Sequence, residues 1–141
     1  MPTFRDAEQA RAILGAVAER ARFGEAARGL REAELVVAFV YHDPELTVLM
    51  DGRTPAPDGA YMRVAFDTLE PAPDVVFESS GEVGNRFWQG RLDVPMALAR
   101  GQVKARGPIN RALKLLPILP GLYETYREVV REMGAGELLE P

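Results

Sequence analysis

Few side chains in this sequence could carry out chemistry. His42 is the single histidine, and there are no cysteines. Thiolate sites, cysteine nucleophiles and metal sites with two histidines are therefore excluded, and a nucleophile that needs a histidine base would have to use His42. Because His42 precedes the turn signal Asp43-Pro44, we interpret it as a solvent-exposed loop residue.

Four carboxylates, Asp67, Asp74, Glu78 and Glu82, are the other candidates. Paired carboxylates within about 5–9.5 Å could perform acid–base work on a glycoside. Predicted positions at strand ends and at a helix cap account for them without catalysis. The segment Gly81-Glu-Val-Gly84 lacks the lysine and the Ser/Thr of a phosphate-binding loop. We therefore expect no catalytic residue, no metal and no cofactor.

The overall composition limits the possible partners. The chain has 141 residues and a formal net charge of −4, which predicts one domain. Its cations are scattered, whereas a nucleic-acid partner would require a positive stripe. The longest uncharged apolar stretch, 115–123, is too short to span a bilayer, so we expect at most transient membrane contact.

The same features bear on location. Residues 12–18 could pass for the apolar region of a signal peptide, but Asp6 and Glu8 neutralise the arginines that should precede it. The absence of cysteine fits a reducing compartment. A cytoplasmic protein is the expectation.

Hydrophobic periodicity predicts a helix followed mainly by strands in the first half of the chain. The run Leu35–Tyr41 is apolar on both faces, which is typical of a strand covered on both sides. The predicted elements are a helix over 6–29 with a candidate break at Gly24, strands over 35–41 and 46–50 forming a hairpin, a loop over 51–59, and strands over 61–66 and 74–78.

Helices predominate in the second half. Ser79 and Glu82 match a capping box, which predicts a short helix ending at Gly90, and Asp93 predicts the cap of another. The remaining predicted elements are a helix over 94–100, a strand over 102–106, a helix over 108–116, a break at Pro117 and Pro120, and a last helix over 121–133. From the sequence, that last helix is equally well a mobile lid or a fixed cover.

The most distinctive residues are apolar. Phe87-Trp88 lies on a predicted short helix, and 113–126 is a proline-interrupted segment rich in Leu, Ile and Tyr. The pattern alone favours core packing. Short helices beside a sheet could also open an apolar pocket for a small molecule.

Residues 74–119 resemble the sterol carrier protein 2 family. The resemblance is carried by the glycine-framed segments 90–101 and 102–107 and by the run 112–116, with 74–79 in the place of the preceding strand. Gln102 stands where a lysine is common, and the long last helix is absent from shorter members. The carboxy terminus lacks a peroxisomal signal, which favours a bacterial-type cytoplasmic member.

The resemblance implies an α/β (α+β) fold in which helices cover a five-stranded, largely antiparallel sheet and enclose an apolar tunnel, with residues 1–141 as one domain. It also implies non-catalytic binding, and transfer, of a sterol, fatty acid, fatty acyl-CoA or phospholipid. The residues that we predict to line the cavity are Phe77, Phe87, Trp88, Met96, Leu113, Leu116, Leu119, Tyr123 and Tyr126. Two alternatives stay open, a small enzyme that uses a cavity carboxylate and a purely structural or interaction module. A homodimer also stays open.

Overall fold

The computed structural model describes residues 2–140, which form one sheet and a set of helices. The strands are β1 (Val36–His42), β2 (Leu46–Asp51), β3 (Arg63–Phe66), β4 (Val75–Ser80) and β5 (Lys104–Arg106). The helices are α1 (Ala7–Ala21), α2 (Glu25–Glu32), α3 (Gly81–Trp88), α4 (Val94–Ala99), α5 (Ile109–Leu113) and α6 (Pro120–Glu132), with 3-10 turns at Leu116–Ile118 and Gly136–Leu138.

The five strands form a mixed sheet in the order β3-β2-β1-β4-β5. All neighbours are antiparallel except β1 and β4, which run parallel with Phe39 opposite Phe77. The predicted hairpin is present, because Tyr41 pairs with Leu46 across the β1–β2 turn. The predicted α+β fold with five largely antiparallel strands is therefore confirmed.

The helices cover one face of this sheet. The main core joins helical side chains to strand residues such as Val37 and Val75, whereas the cluster on the opposite face consists of strand residues alone. That second cluster contains Val36, Ala38, Leu49 and Val76. The prediction for β1 is thus right about burial on both faces, since Val36 and Val37 are both buried, but helices lie on only one of them.

Helix boundaries follow local capping. The break at Gly24 separates α1 from α2 as expected, and Asp93 caps α4 by accepting a hydrogen bond from the Met96 amide at 3.1 Å. The capping box predicted at Ser79 is one residue too early. Since β4 extends through Ser80, it is the Ser80 hydroxyl that accepts from the Val83 amide, at 3.1 Å, and caps α3.

The predicted helix over 108–116 is shorter in the structure. It ends at Leu113, and a 3-10 turn over Leu116–Ile118 follows it. Pro117 disfavours the helical conformation of the residue before it and cannot donate a backbone hydrogen bond. The segment 109–119, called the short-helix segment below, contains no fully buried side chain. By contrast, α6 buries Tyr126, Val129 and Val130 almost completely.

Candidate functional site

An apolar cavity of about 90 Å³ lies between the sheet and the helices. Its floor is formed by β1, β2 and β4, and its other walls come from α2, α3, the chain between α3 and α6, and Leu122 of α6. The lining residues are Ala26, Leu30, Val37, Phe39, Tyr41, Met50, Phe77, Ser79, Val83, Gly84, Phe87, Trp88, Leu92, Val94, Val103, Ala112, Leu113, Leu115, Leu116, Leu119 and Leu122.

No charged side chain lines this cavity. The Trp88 Nε1–H group donates a hydrogen bond to the Tyr41 hydroxyl at 2.8 Å. Burial raises the pKa of Tyr41 far above its ordinary value, so that hydroxyl stays neutral. The indole N–H of Trp88 therefore has its hydrogen-bond partner within the wall. A ligand in the cavity would meet mostly apolar groups.

Aromatic rings in mutual contact form one side of the wall. Phe39 lies at the centre, with its ring centroid 5.7 Å from Phe77, 5.8 Å from Phe87 and 5.1 Å from Trp88. Phe87 and Trp88 meet edge to face at 5.0 Å. Aromatic pairs at these separations add to the stability that burial alone provides, so these contacts stabilise this side of the cavity.

Six of the nine predicted cavity residues come together here, namely Phe77, Phe87, Trp88, Leu113, Leu116 and Leu119. The other three lie outside the lining. Met96 is 45% exposed on α4. Tyr123 packs behind the wall, with its ring edge to face against Phe87 at 5.8 Å. The Tyr126 ring is fully buried, and its hydroxyl donates to Asn85 Oδ1 at 2.6 Å.

Six of the fifteen lining residues that the sequence analysis missed come from β1, β2 and α2. Phe39 and Tyr41 lie on the face that the helices cover, and Met50 comes from the neighbouring strand. A period of two places Val37, Phe39 and Tyr41 on the same side of β1. That signal is present in the sequence, but both sides of this strand are apolar, so the pattern cannot indicate which side faces a cavity.

The side chains that were considered for catalysis or metal binding lie outside the apolar cavity. None of the carboxylates Asp67, Asp74, Glu78 and Glu82 lines the cavity, and residues 2–140 contain no cluster of acidic or histidine side chains able to hold a metal ion. His42 is exposed as predicted, but it is the last residue of β1 rather than a free loop residue. Its Nε2 lies 2.8 Å from Glu78 Oε2, and its Nδ1 lies 3.2 Å from Glu45 Oε1.

Neither protein-family models nor curated proteins match this sequence. Solved structures do. Sterol carrier protein domain 2 of Helicoverpa armigera superposes with a TM-score of 0.59 at 18% identity, covering 81% of this chain and 87% of that one. A conserved hypothetical protein of Thermus thermophilus, described as possibly a sterol carrier protein, gives 0.51 at 19% identity over 92% and 88%.

An inverting sec-alkylsulfatase from a Pseudomonas species also matches, with a TM-score of 0.54, 18% identity and 69% of this chain covered. The chain spans only about 14% of the length of that enzyme. The likenesses to the sterol carrier structures, which cover 81% and 92% of this chain, show that it shares their fold. No helix in the described range is both long and apolar enough to cross a membrane.

Proposed function

We propose that this chain, which has the fold of sterol carrier protein 2, binds a lipid in its apolar cavity and carries it without changing it covalently. The observation that supports this most directly is the lining itself, in which no charged side chain occurs. Pockets for small molecules are mostly apolar with few polar groups. A cytoplasmic location is part of the same proposal.

The size of the cavity sets a requirement on the mechanism. An engineered cavity of about 150 Å³ in another protein holds one benzene molecule, and the cavity here is about 90 Å³. A long acyl chain therefore fits only if the walls move. The short-helix segment is the suitable wall, because Leu113, Leu116 and Leu119 line the cavity and are only half-buried.

The expected affinity follows from the burial of the chain. Burying sixteen carbons at roughly 0.8 kcal/mol for each CH₂ gives a gross gain of about 12 kcal/mol. Association costs at least about 4 kcal/mol, which leaves a Kd near micromolar. Moving the short-helix segment weakens this further. Such an affinity suits a carrier that must also release its ligand.

The two alternatives have less support. An enzyme acting on a bound apolar substrate would need a carboxylate in the cavity, and no Asp or Glu is among the lining residues. A purely structural module would have a packed interior, whereas this interior holds a cavity. The match to the sulfatase concerns a small part of that enzyme and favours neither alternative.

Binding is tested with a fluorescent sixteen-carbon fatty acid and two matched variants. Leu116→Asp places a charge in the cavity wall, so we expect affinity to fall at least about tenfold. Met96→Asp makes the same change at an exposed residue outside the lining, and we expect affinity to stay as in the wild type. Native mass spectrometry of protein purified without detergent should also show a retained lipid.

Circular dichroism is the control that checks whether both variants are folded. Unchanged binding by folded Leu116→Asp would show that the ligand does not occupy this cavity. If the wild-type protein does not bind the fatty acid and retains no lipid on purification, the proposed function is wrong.

A further inference from the structure

One hydrogen-bond donor in the wall of the apolar cavity lacks an acceptor within the described part of the chain. The lining side chains that carry an N–H or O–H group are Tyr41, Ser79 and Trp88. Trp88 Nε1–H donates to the Tyr41 hydroxyl at 2.8 Å, and the Ser79 hydroxyl donates to the Ser80 carbonyl at 3.1 Å. The Tyr41 hydroxyl accepts the bond from Trp88, but its own proton finds no acceptor among residues 2–140.

Bulk water cannot serve as that acceptor, because Tyr41 is only 3% exposed. A buried donor without a partner costs free energy, and such groups in proteins usually have an identifiable reason. A single water molecule inside a protein is held by two to four polar partners. The lining offers few of them, since most of its side chains are apolar. An acceptor on the bound ligand is the partner that this hydroxyl lacks.

The position of the Tyr41 hydroxyl is fixed by its neighbours. The Tyr41 ring stacks on Phe39 with centroids 6.3 Å apart and planes 18° from parallel. Its other contact is the backbone of α3 at Gly84, where a Cβ atom would lie 2.5 Å from Tyr41 Cε1. Trp88 then holds the hydroxyl itself. Because the donor is already ordered, a bond to a ligand costs little further loss of side-chain freedom.

The surroundings of this donor limit the oxygen that it can bind. No cation lines the cavity, and burying a carboxylate or phosphate without a counter-charge is costly. A hydroxyl on the ligand would accept from Tyr41 but would bring a further proton that needs a partner in the same apolar space. A carbonyl oxygen only accepts, so it satisfies the Tyr41 proton and adds no donor.

We propose that the Tyr41 hydroxyl donates a hydrogen bond to an uncharged carbonyl oxygen, of a ketone or an ester, in the lipid that occupies the apolar cavity. The inference rests on the proposed function and adds to it a ligand class and the residue that selects it. The remaining wall contacts are mostly apolar and recognise the length and shape of the ligand. Tyr41 gives this wall its one chemically specific contact.

Competition with the fluorescent fatty acid tests this assignment. The probes are hexadecan-2-one, hexadecan-8-one and hexadecane, each delivered from cyclodextrin, which share their chain length and differ in the carbonyl. Tyr41→Phe removes the donor and keeps the ring, and we expect it to weaken binding of at least one ketone about fivefold, the usual worth of one hydrogen bond. Hexadecane should bind this variant as it binds the wild type, because it has no oxygen.

Tyr126→Phe is the matched control. It makes the same change at a buried tyrosine whose hydroxyl donates to Asn85 and which does not line the cavity. All three probes should bind it like the wild type. Circular dichroism checks that both variants are folded.

Infrared spectroscopy gives a second readout, which in the wild type needs no variant. A hydrogen bond to a carbonyl oxygen lowers the stretching frequency of that carbonyl, and carbon-13 at this position separates the band from those of the protein amides. The ketone that binds more tightly should absorb at a lower frequency in the wild type than in liquid hexadecane. This shift should disappear in Tyr41→Phe and persist in Tyr126→Phe.

Two further ligands test the class of oxygen on the wild type. Hexadecan-2-ol replaces the carbonyl by a hydroxyl, and we expect it to bind less tightly than hexadecan-2-one. Methyl pentadecanoate carries an ester carbonyl and the same number of carbons, and its affinity relative to the ketones identifies which carbonyl is preferred.

The outcomes separate this inference from the proposed function. If the fatty acid binds and Leu116→Asp weakens it, but Tyr41→Phe binds both ketones like the wild type or the carbonyl band is not shifted, the role of Tyr41 is overturned and the proposed function stands. An equal loss of ketones and hexadecane in Tyr41→Phe, or an alcohol that binds as tightly as the ketone, would also overturn recognition of a carbonyl. Failure of the wild type to bind any probe would overturn both.

Discussion

Two polar side chains, Asn85 and Gln89, are buried near the apolar cavity. They are tolerated there because their hydrogen bonds are made within the protein. Asn85 Nδ2 donates to the carbonyls of Leu138 at 2.9 Å and Pro2 at 3.2 Å, while Asn85 Oδ1 accepts from the Tyr126 hydroxyl at 2.6 Å. Gln89 Nε2 also donates to the Leu138 carbonyl. These bonds tie both ends of the described chain to α3, so we assign Tyr126 a structural role.

Tyr126→Phe tests that assignment. Removal of the hydroxyl leaves Asn85 Oδ1 buried without its donor, which should lower the free energy of unfolding by about 1–3 kcal/mol. Urea denaturation measures this change. Fatty-acid affinity should stay the same, because Tyr126 does not line the cavity. Tyr123→Phe is the control, since no hydrogen bond of its hydroxyl is found within residues 2–140. A large loss of affinity in folded Tyr126→Phe would restore Tyr126 as a ligand-binding residue.

His42 carries a pH-dependent contribution to stability. Hydrogen bonds to Glu78, and then to Glu45, raise the pKa of His42 above its ordinary value of 6.5, and the same bond lowers the pKa of Glu78. Because the raised pKa belongs to the folded state, this contribution is fully present below pH 6.5 and disappears as the pH rises through the folded-state pKa. Solvent screening keeps it small.

Thermal melts of His42→Ala check this reasoning. We expect a slightly lower Tm than wild type at pH 5.5 and the same Tm at pH 9, with unchanged fatty-acid affinity at both. His42 does not line the cavity. A loss of affinity would mean that His42 contributes to binding, contrary to its position at the outer end of β1.

Among the elements, the helices near the cavity are anchored unequally. Arg20 and Glu132 form two bonds, at 2.7 and 2.9 Å, between α1 and α6, and Arg127 Nη1 donates to the Gln89 carbonyl at 2.7 Å. The short-helix segment has no fully buried side chain, and Pro117 interrupts its helical bonds. Of the two roles predicted for the last helix, this anchoring favours the fixed cover, and the short-helix segment is the better lid.

Hydrogen exchange distinguishes the two elements. Amides of 109–119 should exchange faster than those of β1 in the free protein and slow markedly when a fatty acid is added. Amides of 121–132 should remain protected in both states. Rapid exchange in α6 that slows on ligand addition would identify α6 as the lid.

Over the whole molecule, the sequence predicted the secondary-structure elements better than it predicted which strands pair with each other. The five strands, the break at Gly24 and the cap at Asp93 follow from local signals. The parallel pairing of β1 with β4 joins distant segments, and no local pattern specifies it. The cavity shows the same division. Phe87 and Trp88 stand out by type, whereas Phe39 and Met50 could be found only once the strand order was known.

The parallel pairing at the centre of the sheet also bears on how the chain acquires its structure. β1, β2 and β3 are consecutive and antiparallel, so they can associate as soon as they are synthesised. The other side of β1 must wait for β4, which begins 33 residues after β1 ends, as Val75 follows His42. Closing so long a loop costs entropy before the contacts repay it. During synthesis, the backbone edge of β1 that later pairs with β4 thus stays unpaired, making it the place where a nascent chain would be most exposed to association with other chains.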